Sequence, residues 1–114
     1  MGINLEEKIL AEVQLKDANL RKTDLRKRNL EGCILSYANL REAILYDVNL
    51  KGAALWGTIL EGAYLEFACL EGADLTGAKI NKDTNFRDTD LENAIWINGK
   101  KCEKGSIGKM YSRR

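Results

Sequence analysis

The fold is decided by a pattern that repeats every five residues. It is seen in the stretch Ala38-Asn39-Leu40-Arg41-Glu42-Ala43-Ile44-Leu45-Tyr46-Asp47-Val48-Asn49-Leu50. Leucine occupies the same place in every repeat from Leu5 to Leu75, and Ile80 continues the series. The position two residues earlier is almost always small or β-branched. The residue between them is often Asn or Asp, and the two residues after the leucine are mostly charged, polar or Gly.

A period of five fits neither regular secondary structure. A helix needs apolar residues about every 3.6 positions, and a strand points successive side chains to opposite faces. The fifteen leucines would therefore surround a helix on every side, or alternate between the two faces of a straight strand. The chain must instead turn once in each repeat, so that every leucine points inward. This predicts a solenoid with a leucine core, lined by the small residues two places earlier.

The repeat is clearest in triplets such as Ala18-Asn19-Leu20, Ala38-Asn39-Leu40 and Ala73-Asp74-Leu75. In these triplets and their spacing the chain resembles the pentapeptide-repeat family. The resemblance implies an all-β fold, a right-handed quadrilateral β-helix with four repeats in each coil. It further implies about four coils, stacked at about 4.8 Å.

The resemblance extends over residues 13–97, which we expect to form the β-helix. We expect an N-terminal cap over 1–12 and a basic C-terminal tail over 98–114. The segment 4–7 resembles a helix N-cap box, which predicts a short helix or irregular cap. Asn98-Gly99 predicts a turn. Three apolar side chains are expected to cover the final coil: Trp96, Met110 and Tyr111.

Two positions break the pattern. The core residue after Ile80 is Phe86, six residues further on, so the segment 81–83 is expected to bulge at a corner. Arg28 stands where the other repeats have a small residue. A charged group is costly in a dry core, so this turn is expected to be distorted or open to solvent. Gly follows the outward residue in several repeats and is expected at corners where φ is positive.

Charge spacing bears on the number of sides in each coil. Of nine charged pairs that lie twenty residues apart within residues 6–71, seven are opposite in sign, which favours stacked coils. A spacing of fifteen gives six opposite pairs and one like pair. The charges alone therefore leave three-sided and four-sided coils open, and the family resemblance implies four.

Composition restricts location and class. The net charge of +1 divides into +2 over 1–30, −5 over 31–78 and +4 over 79–114. No stretch approaches the roughly 20 apolar residues of a membrane-spanning helix, and the start does not resemble a signal peptide. We therefore expect a cytoplasmic protein with no membrane contact, although a removed export signal would leave the same sequence. Three widely spaced cysteines fit a reducing compartment.

The residues of common catalytic and metal sites are missing. The chain has no histidine, which excludes the usual serine and cysteine triads and leaves too few nitrogen and sulfur ligands for structural zinc. It also has no Walker-type phosphate loop. We expect no enzyme, no cofactor and no metal site. Cys33 is predicted to be inert core packing, whereas Cys69 points outward and is the more reactive candidate.

Coils of twenty residues would gather exposed apolar residues on two opposite sides. The first predicted surface consists of Ile44, Tyr46, Tyr64 and Phe67. The second consists of Ile34, Tyr37 and Trp56. Exposed aromatic clusters often mark contact surfaces, but stacking between coils is the alternative, and it is slightly favoured for the second surface. A candidate acidic patch contains Glu61, Glu66, Glu71 and Asp74.

These features favour a non-enzymatic protein-interaction or scaffold module, whose protein partner the sequence does not identify. The family resemblance supplies an alternative, because some members mimic duplex DNA, bind type II topoisomerases and protect them from quinolones. Mimicry calls for a long acidic rod, since phosphate charge dominates DNA recognition, whereas this chain is short and nearly neutral. Redox sensing through Cys69 or Cys102 is a third hypothesis.

The basic run from Arg21 to Arg28 suggests an acidic partner or nucleic acid. The repeat spreads its side chains over two adjacent sides, and the run lacks aromatic residues on which bases could stack, so nucleic acid is not favoured. Oligomeric state stays open between a monomer and an end-to-end homodimer.

Overall fold

The computed structural model describes residues 12–103 and shows a solenoid joined by parallel bridges between single residues. No helix and no extended strand occurs in this range. Each bridge joins a residue to the one twenty places further on, from Gln14 with Ile34 to Ile59 with Lys79. Because bridged partners lie one coil apart, a coil contains twenty residues. This spacing decides for four sides of five residues and against three.

The bridges form four ladders, and each ladder runs along one side of the solenoid. The sides are Gln14-Ile34-Ala54-Asp74-Ile95 (side 1), Asn19-Asn39-Ile59-Lys79 (side 2), Asp24-Ile44-Tyr64-Asn85 (side 3) and Asn29-Asn49-Cys69-Asp90 (side 4). In each repeat the bridged residue is followed by the core residue, an outward residue and a corner residue. The inner residue comes immediately before the bridged one.

The core is the predicted stack of leucines. Every fifth residue from Leu20 to Leu75 is a leucine that is at most 2% exposed. Full burial of one such side chain contributes about 1.5–3 kcal/mol. The small inner residues that line the stack are buried too: Cys33, Ala38, Ala43, Val48, Ala53, Ala63, Ala68, Ala73 and Ala78.

Threonine at an inner position is compatible with this core because its hydroxyl has a backbone partner. Thr58 Oγ1 donates to the carbonyl of Leu35 at 2.8 Å, and Thr84 Oγ1 donates to that of Leu60 at 2.8 Å. Thr89 makes the equivalent bond to Leu65. Each bond reaches the core residue of the preceding coil, so these hydroxyls tie neighbouring coils together without leaving a buried polar group unsatisfied.

The corners explain the remaining preferences of the repeat. The corner residue has positive φ, as at Gly57 (67°) and Gly72 (69°), which confirms the expected place of glycine. The Asn or Asp on each side accepts a hydrogen bond from the backbone N–H two residues later. Examples are Asn39 Oδ1 with Arg41 N at 3.1 Å and Asn49 Oδ1 with Lys51 N at 3.0 Å. These Asx turns bend the chain toward the next side.

The predicted bulge lies at the corner after Ile80. Beyond it the bridges join residues twenty-one apart, as in Tyr64 with Asn85. Elsewhere a corner N–H donates to a backbone carbonyl of the next coil, but Gly62 N donates to the side-chain Oδ1 of Asn81 at 3.0 Å. Thr84 Oγ1 accepts from Asn81 N at 3.1 Å. The Asn81 amide thus replaces the lost backbone acceptor, and the ladders continue in a shifted register.

The turn at Arg28 is not distorted. Arg28 N donates to Leu25 O at 3.2 Å, and Arg28 O accepts from Asn49 N at 3.0 Å, as in regular repeats. The side chain is half-buried, and its Nε is buried with no hydrogen-bond partner that the described residues supply. Arg28 lies in the first described coil, so among the described residues only the next coil packs against it. Pairing with the next coil therefore holds the backbone at Arg28 in the regular conformation despite the charged side chain.

The C-terminal end of the described chain folds back on itself. Ile95 pairs antiparallel with Lys101, and Cys102 N donates to Ala94 O at 2.7 Å, so paired structure extends into the segment expected to be a tail. Trp96 is only 5% exposed, and its ring packs edge-on against Phe86 with centroids 5.3 Å apart. The predicted N-terminal helix, Met110 and Tyr111 lie outside the described residues.

Stacked charges form ion pairs in part of the predicted set. Lys22 Nζ lies 3.6 Å from Glu42 Oε1, and Arg41 Nε lies 3.2 Å from Glu61 Oε1. All four side chains are at least a third exposed, and such exposed pairs contribute roughly 0–1 kcal/mol. Stability therefore comes mainly from the leucine core.

Replacement of one central leucine tests this conclusion. Leu50→Ala should lower the free energy of unfolding by about 2–5 kcal/mol, because it leaves a cavity in a core that is closed on all sides. Lys51→Ala changes the neighbouring exposed side chain and should alter the free energy by no more than about 0.5 kcal/mol. Urea unfolding followed by circular dichroism measures both, and equal losses would contradict a core-dominated stability.

Candidate functional site

The first surface forms on side 3, where two coils place apolar side chains next to one another. Ile44 and Tyr64 are bridged partners. The rings of Tyr46 and Tyr64 lie 6.0 Å apart at an angle of 42°, within the range of favourable aromatic pairs. Tyr64 is 40% exposed, and Phe67 at the adjoining corner is 55% exposed. The structure therefore brings Ile44, Tyr46 and Tyr64 together, places Phe67 at the corner of the same side, and leaves the rings of Tyr64 and Phe67 open to solvent.

Phe67 occupies a corner of side 3 and has a positive φ, like nine other described corner residues that are not glycine. Its φ is 60°, a left-handed conformation that bulky residues rarely adopt and that costs of order 1–3 kcal/mol. Gly72, at the next corner along the chain, has the same conformation without this strain. An exposed phenylalanine therefore lies where glycine would be more stable, and its ring gains little from burial in return.

Glu66 belongs to the same side, although the sequence placed it only in an acidic patch. Its Oε2 accepts a hydrogen bond from Asn85 Nδ2 at 3.0 Å. Its Oε1 is buried and has no hydrogen-bond partner among residues 12–103. In register, Glu66 lies between Tyr46 and Arg87 on the coils before and after it. The twenty-residue spacing is enough to predict that Glu66 lies on side 3, but it does not reveal that one carboxylate oxygen is unpaired.

The second surface lies on side 1, opposite the first. Tyr37 is 56% exposed and Trp56 is 38% exposed, and Tyr37 N donates to Trp56 O at 3.0 Å. A Cβ added to Gly57 would come within 2.6 Å of two atoms of the Tyr37 ring, so the ring lies over this glycine. Stacking between coils thus accounts for part of this surface, as the alternative interpretation expected.

Ser36 lies within the second surface and was not singled out from the sequence. It follows a core leucine and so occupies an outward position, yet it is only 1% exposed, and its hydroxyl has no hydrogen-bond partner in the described part of the chain. Its neighbours in register are the longer side chains Lys16 and Trp56. A small residue between two long ones is covered by them, which the five-residue period does not reveal.

The four residues of the predicted acidic patch lie on four different sides. Glu61 on side 2 pairs with Arg41, and Glu66 on side 3 is bonded to Asn85. Glu71 lies on side 4, and Asp74 on side 1 accepts from Thr76 N at 3.0 Å and Thr76 Oγ1 at 2.6 Å. The structure therefore does not join them into one surface.

A different acidic group forms on side 4. One ligand atom from each of Cys69, Glu71 and Asp90 lies within 4.8 Å of the other two. Cys69 and Asp90 are bridged partners twenty-one residues apart, so the shifted register after the bulge brings them together. A thiol and two carboxylates fall short of the four nitrogen or sulfur ligands of a structural zinc site.

The basic run also divides between sides. Arg21 and Lys22 lie on side 2, and Arg26 and Lys27 lie on side 3. Arg26 Nη2 lies 2.9 Å from Asp24 Oδ2, and its Nε donates to Oδ1 at 3.0 Å. These bonds from Arg26 lower the pKa of Asp24, so that the carboxylate stays charged beside the run. No single basic groove results.

Comparison with known proteins identifies the family. The family profile described as pentapeptide repeats matches residues 9–45, 29–62 and 43–81, with eight copies of the repeat. This chain belongs to the pentapeptide-repeat family. No curated protein sequence matches it. Within the described residues, no helix has the length and apolarity needed to cross a membrane.

Several solved pentapeptide-repeat structures are similar to the chain. HetL from Nostoc sp. strain PCC 7120, involved in heterocyst differentiation regulation, is 31% identical, with 82% of this chain and 51% of HetL covered and a TM-score of 0.45. Rfr23 from Cyanothece 51142 is 32% identical, with 73% and 53% covered and a TM-score of 0.33. The chain thus spans about half the length of HetL and Rfr23.

A more distant similarity links the chain to QnrB1, a plasmid-mediated fluoroquinolone resistance protein. The two are 14% identical, with 90% of this chain and 68% of QnrB1 covered and a TM-score of 0.39.

Thiol reactivity tests the placement of the cysteines. Burial raises the pKa of Cys33 and of Cys102, so near pH 8 both thiols stay protonated and enclosed, whereas Cys69 is half-buried on side 4. Iodoacetamide should therefore label Cys69 first, with the other two protected until the protein unfolds. Mass spectrometry of the digested protein, with a sample in denaturant as control, measures the order. Native Cys33 reacting as fast as Cys69 would contradict the core assignment.

Proposed function

We propose that this chain is a non-enzymatic protein-interaction module that contacts a protein partner through its first surface. The observation that carries the proposal is the pair of Tyr46 and Tyr64, whose rings lie 6.0 Å apart on adjacent coils, with the exposed Phe67 at the following corner of the same side. Exposed clusters of Tyr and Phe on an otherwise polar face are typical of contact sites.

The proposal assigns no catalytic role. Catalysis needs nucleophiles, bases and charge-stabilising groups that converge on one concave site. The chain has no histidine, and the four acidic residues that sequence analysis grouped lie on four different sides. Their placement also does not favour mimicry of DNA, which calls for a continuous acidic track.

Finer features of fold and location belong to the same proposal. We infer right-handed winding and about four coils, as the family resemblance implies, since residues 13–97 divide into coils of twenty or twenty-one. A cytoplasmic location is inferred from three cysteines without a disulfide among the described residues. The antiparallel pairing of Lys101 with Ile95 occupies the last edge on side 1, which favours a monomer over an end-to-end dimer.

Site-specific photocrosslinking tests the proposed surface. With p-benzoylphenylalanine in place of Phe67, irradiation in host lysate should give one dominant adduct. The matched control is the same amino acid in place of Asp88, the next corner on side 3, which also has positive φ (54°). Tyr46→Ser together with Tyr64→Ser should abolish the adduct at position 67 while the β-rich circular dichroism is retained. Equal adducts at positions 67 and 88, or none at 67, would contradict the proposal.

The DNA-mimic alternative has its own measurement. We expect no inhibition of DNA supercoiling by a type II topoisomerase at saturating concentrations of this chain, because its acidic side chains are divided between sides and partly paired. An established inhibitor serves as the positive control. Concentration-dependent inhibition that is relieved by Glu61→Gln and Glu71→Gln would overturn this expectation.

A further inference from the structure

Positive charge collects on one side of the solenoid. Among residues 13–98, only the repeats of side 2 carry a net positive charge, +2, whereas those of sides 1, 3 and 4 carry −1, −1 and −2. The charged residues of side 2 are the cations Arg21, Lys22, Arg41, Lys79 and Lys82 and the anions Glu42, Glu61 and Asp83. An anionic partner would therefore be drawn to this side in preference to the other three.

Both glutamates of side 2 are already paired with cations of the same side. Lys22 Nζ lies 3.6 Å from Glu42 Oε1, and Arg41 Nε lies 3.2 Å from Glu61 Oε1. Arg21 is exposed and forms no ion pair with any residue of 12–103. It neighbours Arg41 in register, one coil away, and like charges in such opposed positions are unfavourable. An anion between the two guanidinium groups would remove this repulsion.

A groove runs beside these arginines, along the corner where side 2 turns into side 3. Its volume is about 430 Å³. Arg21 and Arg41 line it in the first two coils, and Asn81 and Asp83 line it in the fourth. The exposed ring of Tyr64 forms part of the wall. The two ends lie three coils apart, which is about 14 Å and matches about four residues of an extended peptide.

Two features of the sequence open this groove. Gly62 is the corner residue of the third coil and has no side chain, so the row of corner side chains is interrupted after Glu42. The extra residue in 81–83 then displaces the next corner, and Asn81 Oδ1 accepts the hydrogen bond from Gly62 N at 3.0 Å. The fourth coil therefore closes the groove with a polar amide rather than with another long cation.

The order of charges along the groove selects the kind of anion. Glu42 and Glu61 line its middle, and Asp83 lies at its far end. A strand with a phosphate on every nucleotide would bring negative charge against these carboxylates. Only the end at Arg21 and Arg41 offers cations, which suits a carboxylate at one end of an otherwise uncharged peptide.

We propose that this groove binds an extended segment of a protein partner through a carboxylate that lies between Arg21 and Arg41. Among the described residues Glu61 engages only Nε of Arg41, so the two Nη nitrogens can donate to the carboxylate together with the Arg21 guanidinium. The uncharged remainder of the segment passes the Tyr64 ring along the groove. The inference goes beyond the proposed function, because it adds a second contact and does not depend on binding at the first surface.

Binding of a defined probe tests the inference. The probe is a rhodamine-labelled, end-capped peptide in which two adjacent glutamates are followed by uncharged residues, and its control has glutamine in place of both glutamates. Fluorescence anisotropy, with the full chain as titrant, should show binding of the glutamate peptide that weakens as salt is added. The glutamine peptide should bind about tenfold more weakly, because it lacks the charge-assisted hydrogen bonds.

Matched variants locate the binding site. Arg21→Gln should weaken binding of the glutamate peptide about tenfold through loss of a charged donor. Arg21→Lys keeps the charge but loses the planar fork, and should weaken binding roughly two- to fivefold. Lys79→Gln removes the same charge from the same side outside the groove and should change binding by less than about twofold. Circular dichroism checks that each variant keeps the fold.

Three outcomes overturn the inference. Equal weakening by Arg21→Gln and Lys79→Gln would mean attraction by net charge alone. Absence of binding of the glutamate peptide at millimolar concentration would leave the groove without its ligand. The third outcome comes from a labelled oligothymidylate: if Arg21→Gln weakens its binding but not that of the glutamate peptide, the groove recognises phosphate and not a protein carboxylate.

Discussion

The structure depends on one constraint, which is that every fifth side chain must point to the same axis. A regular helix or strand cannot satisfy it, so the backbone turns after each leucine and pairs with itself one coil later. The other preferences follow from that turn. Small inner residues allow the sides to approach, Asn and Asp side chains hold the bend, and glycine suits the left-handed corner. Little freedom remains except in the residues that point outward.

The leucine period predicted the core and the corners because both follow directly from the repeat. The number of sides did not follow from it, since spacings of fifteen and twenty both gave mostly opposite charges. The bulge after Ile80 was visible as an extra residue, but the Asn81 side chain that replaces a backbone acceptor was not. Of the two outcomes expected at Arg28, distortion of the turn does not occur, because backbone hydrogen bonds keep it regular, and the side chain stays only half-buried.

The candidate site shows the same division. A coil length of twenty residues was enough to assign Tyr46, Tyr64 and Phe67 to the same side, because the side of a residue depends only on its position in the repeat. The unpaired oxygens of Glu66 and Ser36 could not, because they depend on how neighbouring side chains of unequal length cover one another. The predicted acidic patch failed to form for a related reason. Its first three residues are five apart, so each lies on a different side of the solenoid.

The uniform separation of bridged residues also has a consequence for how the chain folds. Each parallel bridge closes a loop of twenty or twenty-one residues, so the entropy of closure is nearly the same at every step along the solenoid. None of these parallel bridges requires residues from distant ends of the chain to come together. Folding can begin wherever two adjacent coils first associate, and it then extends in either direction by adding one side at a time to an existing edge.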